Sequence, residues 1–133
     1  MPLETVFVYG SLKRGFINHH VMAGTEFLGA GVTQPGFAML GLGRYPGVVR
    51  GTAVIAGEVF AVPAPRMGRL DRLEDNGRVY RREVIPIRLP SGVVDAWIYL
   101  YLLARGHEKP VKPRGNVVTW RENPGRENSA LQE

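Results

Sequence analysis

With 133 residues and an ordinary apolar share of 44%, the chain reads as one domain with a core of its own. The absence of cysteine excludes disulfides, thiolate nucleophiles and Cys-based zinc sites, leaving any catalysis to oxygen and nitrogen groups. Lys and Arg outnumber Asp and Glu by 17 − 12 = +5, but in singles and pairs along the whole chain. That pattern predicts a solvated surface or a taste for small anions rather than a nucleic-acid groove.

Residues 5–9 are β-branched and aromatic, a first strand that Gly10 breaks. Asn18 stands where it would cap a short helix stopped by Gly24. Residues 27–33, 37–42 and 48–49 read as short strands, interrupted at Pro35-Gly36 and Tyr45-Pro46-Gly47. A further strand covers residues 54–62, after which Pro63-Ala64-Pro65 opens a helix whose Met67, Leu70 and Leu73 share a face. Asp75-Asn76-Gly77 should end it. Residues 79–89 and 93–103 form a hairpin turning at Pro90-Ser91-Gly92.

These elements predict an α+β domain over residues 1–104, a small mixed, barrel-like β-sheet with a few short flanking helices. Residues 105–133 read as a basic polar tail, partly packed or disordered, anchored by Val117, Val118 and Trp120. The opening MPLETVFVYG carries an acidic residue where a leader needs basic ones, and no run reaches the length of a membrane span. A cytoplasmic protein with no membrane contact is expected. A monomer is expected too, since no heptad or long apolar edge is visible.

Chemistry enters at the end of the first strand, in Val8-Tyr9-Gly10-Ser11-Leu12-Lys13-Arg14-Gly15. A glycine at a strand-to-loop junction lets consecutive amides turn toward an oxygen anion, although most such turns only turn. The spacing is neither that of a Walker loop nor of a dinucleotide fingerprint, and Ser11 lacks the glycines of a nucleophile elbow. The second candidate is Glu74, in the last turn of the predicted helix beside its apolar stripe. Desolvation and the negative helix end both favour its protonated form, so it is held for proton transfer or neutralised by Arg81 or Arg82. Asp71 is assigned to capping or arginine pairing. Tyr80 is a core residue or a phenol offered to a ligand, and Trp97, Tyr99 and Tyr101 share a strand face as packing first and ligand wall second. Adjacent His19 and His20 diverge on a helix and make a poor chelating pair, so neither metal nor cofactor is expected.

Taken together, Val8 to Gly15 with Asn18-His19 resembles the N-terminal signature of the γ-glutamylcyclotransferase family, and its continuation Leu12-Lys13-Arg14-Gly15 resembles the branch acting on γ-glutamylamines. Gly57-Glu58-Val59-Phe60 is similar to the family's Gly-Glu-Val-Tyr strand, and Leu70-Asp71-Arg72-Leu73-Glu74 to its Leu-Asp-x-x-Glu helix. Tyr80-Arg81-Arg82 is similar to its Tyr-x-Arg segment, and Asn123-Pro124-Gly125-Arg126-Glu127-Asn128, with Gly125 inserted, to the branch's Asn-Pro-Arg-Glu-Asn ending. The order of the blocks makes the resemblance more specific than any one of them.

The resemblance implies a barrel-like α+β fold and a reaction in which a γ-glutamyl amine closes on itself, giving 5-oxoproline and a free amine. It implies Glu74 as general base and Tyr9, Gly10, Ser11, Leu12 and Tyr80 as substrate contacts, with the loop amides on either the α-carboxylate or the oxyanion. A small-molecule γ-glutamyl substrate is the only partner expected, with recognition of its leaving amine falling to loops around residues 37–49 and the tail. Two rivals of other classes remain at this level. The same scaffold could bind a small anionic metabolite without turnover, and a basic nucleic-acid module would need stacking aromatics among its Lys and Arg that the chain lacks.

Overall fold

The computed structural model describes residues 2–122, so the 123–128 stretch compared above lies outside the described residues. Within them run β1 (Leu3–Val8), β2 (Glu26–Thr33), β3 (Phe37–Gly41), β4 (Pro46–Arg50), β5 (Val54–Pro63), α1 (Met67–Glu74), β6 (Tyr80–Leu89), β7 (Gly92–Tyr101), β8 (Lys109–Pro110) and β9 (Val117–Val118). Single 3-10 turns occupy His19–Met22 and Ala64–Arg66.

Five strands close on themselves. β1 pairs with β5, β5 with β2, β2 with β6 and β6 with β7, and β7 returns to β1 through a parallel contact at Val6 and Trp97. This is the barrel-like α+β fold expected. Apolar residues sit on both faces of β1, with Phe7 and Tyr9 in one core cluster and Val6 and Val8 in the other. A strand buried on both sides reads as a continuous apolar run rather than an alternating one. Fully buried side chains such as Phe7, Ile55, Ile87 and Ile98 contribute about 1.5–3 kcal/mol each.

The tight turns fall where the sequence put them. Leu89 faces Gly92 across a two-residue Pro90-Ser91 turn, and α1 stops at Asp75, whose left-handed φ of 51° turns its amide back to the carbonyls of Asp71 and Arg72. Two details differ from expectation. Asn18 makes no side-chain cap, its side-chain amide donating to Ser11 Oγ at 2.9 Å, and the element after it is a single 3-10 turn. Leu73 leaves the apolar face: at about 100° per residue, Glu74 falls between Met67 and Leu70 in projection, and Leu73 falls on the flank. Leu73 is accordingly 47% exposed, whereas Met67 and Leu70 are buried.

Part of the stretch after Arg105 is built into the sheet. β8 pairs with β3, β9 pairs with β5, Val118 is buried and Trp120 packs on the core. Among the described residues no helix is long and apolar enough to cross a membrane.

Where β7 meets its second neighbour the sheet forks. The same edge of β7 is shared by β1 at Trp97 and by β4 at Leu100, both parallel to it. β1 therefore ends at Val8 just as β4 begins at Pro46, and the chain leaving β1 turns away over the gap. That gap positions the site.

Candidate active site

Tyr9, the first residue beyond β1, fills the fork. Its phenol donates to the Tyr99 carbonyl at 2.6 Å and accepts from the Val48 amide at 3.3 Å, so one side chain satisfies a buried group on each of two strands. Burial, followed by the nearby Tyr80 and Glu74, holds its pKa well above the ordinary phenol value. Gly10 follows because nothing larger fits: a Cβ there would stand 2.8 Å from Pro46 Cγ. Tyr80, buried at the start of β6, donates to the Pro46 carbonyl at 2.8 Å and fixes the other side of that contact.

The loop then turns tightly. Lys13 N–H closes on the Gly10 carbonyl at 3.1 Å, the Ser11 carbonyl accepts from the Asn18 amide at 2.9 Å, and the Leu12 carbonyl meets His19 Nδ1 at 2.9 Å. With these carbonyls engaged, the amides of Gly10, Ser11 and Leu12 have no acceptor among the described residues. Three such amides in a row suit an oxygen anion.

All six sequence-predicted residues, Glu74, Tyr9, Gly10, Ser11, Leu12 and Tyr80, line one cavity of about 250 Å³. Tyr99, read from sequence as a packing residue first, lines it as well, with its hydroxyl donating to Asp71 Oδ1 at 2.6 Å. Burial and then that hydrogen bond push the Tyr99 phenol up, and burial with the Glu74 charge does the same for Tyr80. Both phenols stay protonated at neutral pH.

Glu74 is the only charged side chain lining the cavity among the described residues. Its carboxyl is raised to about 7, and burial is the cause. Neither Arg81 nor Arg82 pairs with it among the described residues: Arg81 makes no ion pair within 4 Å, and Arg82 is engaged by Asp71, Nε to Oδ1 at 2.9 Å and Nη2 to Oδ2 at 3.2 Å. Asp71 thus has the arginine-pairing role expected of it, and the carboxylate one turn further on is left without a cation within 4 Å among the described residues. A carboxyl poised near 7 can both take and return a proton under neutral conditions.

Tyr45 and Pro46 close the cavity from within the stretch 37–49, to which the sequence assigned recognition of the leaving amine without singling out either residue, and Leu73, which it missed, is exposed at the mouth. His19, which the sequence offers only as half of a poor chelating pair, braces the Leu12 carbonyl with its ring.

The model of the family described as Gamma-glutamyl cyclotransferase, AIG2-like, matches residues 6–122. The chain belongs to this family. Among curated relatives, a Vibrio cholerae protein provisionally named a gamma-glutamylcyclotransferase is 43% identical over 96 residues, covering 72% of this chain and 80% of that one. The Escherichia coli family protein YtfP is 35% identical over the same length with the same coverage. The crystal structure of an AIG2-like protein from Mus musculus matches with a TM-score of 0.76 and 25% identity, over 92% of this chain and 99% of that one. These matches establish the cyclotransferase family and its fold. The expected branch within the family and the role of each cavity residue are questions for the chemistry.

Proposed function

We propose that this protein cyclises γ-glutamyl amines to 5-oxoproline and a free amine, with Glu74 as the base. The observation that carries this reading is that one cavity brings together a carboxyl near pKa 7 and three consecutive residues, Gly10, Ser11 and Leu12, the carboxyl having no cation partner and the amides no acceptor among the described residues. A γ-glutamyl compound brings its own nucleophile, and holding it folded back converts a difficult amide attack into a ring closure.

Glu74 takes a proton from the α-ammonium, and the freed amine attacks the γ-carbonyl carbon. The carbonyl π bond opens to an oxyanion, which re-forms the carbonyl as the bond to the leaving nitrogen breaks. Glu74 returns its proton to that nitrogen. The second proton, shed as the attacking nitrogen becomes a lactam, follows the same route, so the amine departs as an ammonium and Glu74 ends as it began. Amides of Gly10, Ser11 and Leu12 receive one of the substrate's oxygen anions, the α-carboxylate or the oxyanion. Tyr80 and Tyr9, their own protons committed to backbone carbonyls, wall the site, and the Tyr80 oxygen is left as an acceptor for substrate.

The amine branch is favoured by what the cavity lacks. A γ-glutamyl amino acid carries a second carboxylate beside the scissile nitrogen, yet no Lys, Arg or His lines the cavity among the described residues. The mouth offers Tyr45 and Leu73, 44% and 47% exposed, which suit an apolar stem.

Incubation with γ-glutamyl-ε-lysine and simple γ-glutamyl alkylamides should release 5-oxoproline, and Glu74→Gln should abolish it. Turnover of γ-glutamyl amino acids alone would refute the amine preference and leave the cyclisation. Binding of glutamate or 5-oxoproline with no product from any γ-glutamyl compound would make the protein a metabolite binder instead.

A further inference from the structure

The cavity loop is held from outside by the end of the described chain. Lys13 is only 6% exposed, and its ammonium donates to the Trp120 carbonyl at 2.8 Å while lying 4.4 Å from the Phe16 ring centre. Four residues on, the Ile17 amide donates to Glu122 Oε1 at 3.0 Å. Trp120 packs on the core, and the segment leading to it is fixed by the parallel pairing of Val117 and Val118 with Val54 and Ile55. The chain thus spends a buried cation and a half-buried glutamate, whose Oε2 is buried without a partner among the described residues, on a loop whose own polar needs are small. A buried lysine is costly unless its hydrogen bonds are made, and burial lowers the pKa of this one.

The backbone shows what the clasp controls. The Lys13 amide closes the turn on Gly10, and the Lys13 carbonyl accepts from Phe16 at 3.0 Å. Anchoring the Lys13 side chain therefore fixes the turn that presents the amides of Gly10, Ser11 and Leu12. Arg14 is tied separately to Glu58 of β5, its amide at 2.8 Å from Oε1, so the clasp acts on either side of an existing tether.

We propose that Lys13 and Glu122 are positioning residues for catalysis: by clasping residues 117–122 to the loop they set the geometry of the anion-receiving amides, without touching substrate. The proposal rests on the cyclisation reading of the same cavity. It predicts that an anion site at the amino end of the chain is tuned by a strap more than a hundred residues downstream.

The test uses the full chain with Lys13→Met, Glu122→Ala and Glu122→Gln. Lys13→Met and Glu122→Ala should each lower kcat/KM for a γ-glutamyl alkylamide about tenfold, the scale of one hydrogen bond to a charged group. The loss should fall in KM if the amides hold the α-carboxylate, and in kcat if they hold the oxyanion. Glu122→Gln keeps an oxygen for the Ile17 amide and should restore activity to within about twofold. The acid limb of the pH profile should not move, since Glu74 is untouched. Amide hydrogen exchange at residues 10–13 should quicken in the two damaging variants and not in Glu122→Gln. Unchanged kcat/KM and exchange in both would overturn the proposal, as would a loss that Glu122→Gln shares. Should Lys13→Met fail to fold, the Glu122 pair decides. If the wild type turns over no γ-glutamyl compound, the cyclisation reading falls, and the exchange data alone then support or overturn the clasp.

Discussion

A carboxyl that must carry a proton in the folded state has a thermodynamic signature as well as a kinetic one. Glu74 titrates near 7 in the fold and at about 4.3 when unfolded, so between those values the native state binds more protons than the unfolded one. Stability is therefore fully present below pH about 4.3 and is lost as pH rises through 7, by up to roughly 3 kcal/mol. Glu74→Gln removes that loss: it should melt at the wild-type temperature near pH 4 and above it at pH 8, while turnover falls by about 10²–10⁴-fold. Thermal melts at the two pH values, with 5-oxoproline assays alongside, check both halves, and a variant that melts earlier at pH 8 yet still cyclises would rule out the base. In wild type, log kcat/KM should fall on acidification with a midpoint near 7, level off above it, and fall again where the substrate ammonium, source of the proton that Glu74 delivers to the leaving nitrogen, is lost. The Tyr9 hydroxyl makes a different prediction. Tyr9→Phe strands the Tyr99 carbonyl and the Val48 amide at the fork, each buried, and should cost on the order of 1–3 kcal/mol in denaturant unfolding.

Helix α1 is two turns long, and its phase decides both what the cavity does and what it accepts. Pointing Glu74 between Met67 and Leu70 buries the carboxyl, and the same rotation puts Leu73 on the rim. Leu73→Arg would add the missing cation at the mouth. It should improve kcat/KM for a γ-glutamyl amino acid relative to a γ-glutamyl alkylamide by about tenfold, as a charge-assisted hydrogen bond would. An unchanged ratio would show that the leaving group does not pass Leu73. Much of this element was legible: Pro63-Ala64-Pro65 and Asp75-Asn76-Gly77 bracket it, and Gly10-Ser11-Leu12 and Glu74 announce themselves by residue type and motif. Its phase was not, because eight residues give too few apolar positions to choose between Leu73 and Glu74 for the inner face. Nor could local pattern reveal that Arg82 would be taken by Asp71, since that pairing depends on how β6 crosses the helix. The stretch 37–49 was legible as a recognition loop, but Tyr45 and Pro46 could not be singled out within it, because their place at the cavity comes from β4 starting where β1 stops.

At the scale of the molecule, the barrel is assembled from distant partners. β1 must find β5 and β7, and the fork needs β4 besides. Alternating strands and tight turns predicted the hairpin of β6 and β7, whose partners are close in sequence, but not the closure between Val6 and Trp97. Such non-local pairing predicts refolding in about milliseconds to seconds rather than microseconds. Stopped-flow fluorescence of Trp97 and Trp120 would measure it, and a microsecond phase carrying the full amplitude would contradict the topology.

The clasp on the cavity loop adds a consequence for the growing chain. Lys13 and Trp120 are 107 residues apart, and Ile17 and Glu122 are 105 apart. At about 5–20 residues per second of synthesis, the loop that carries the signature waits roughly 5–20 s for the strap that holds it. Throughout that interval Lys13 has no carbonyl to bury against and the anion site has no fixed shape. A nascent or truncated chain ending before Trp120 would contain every residue of the cavity wall and still lack the assembled site, so activity should arrive only once residues 117–122 have been translated.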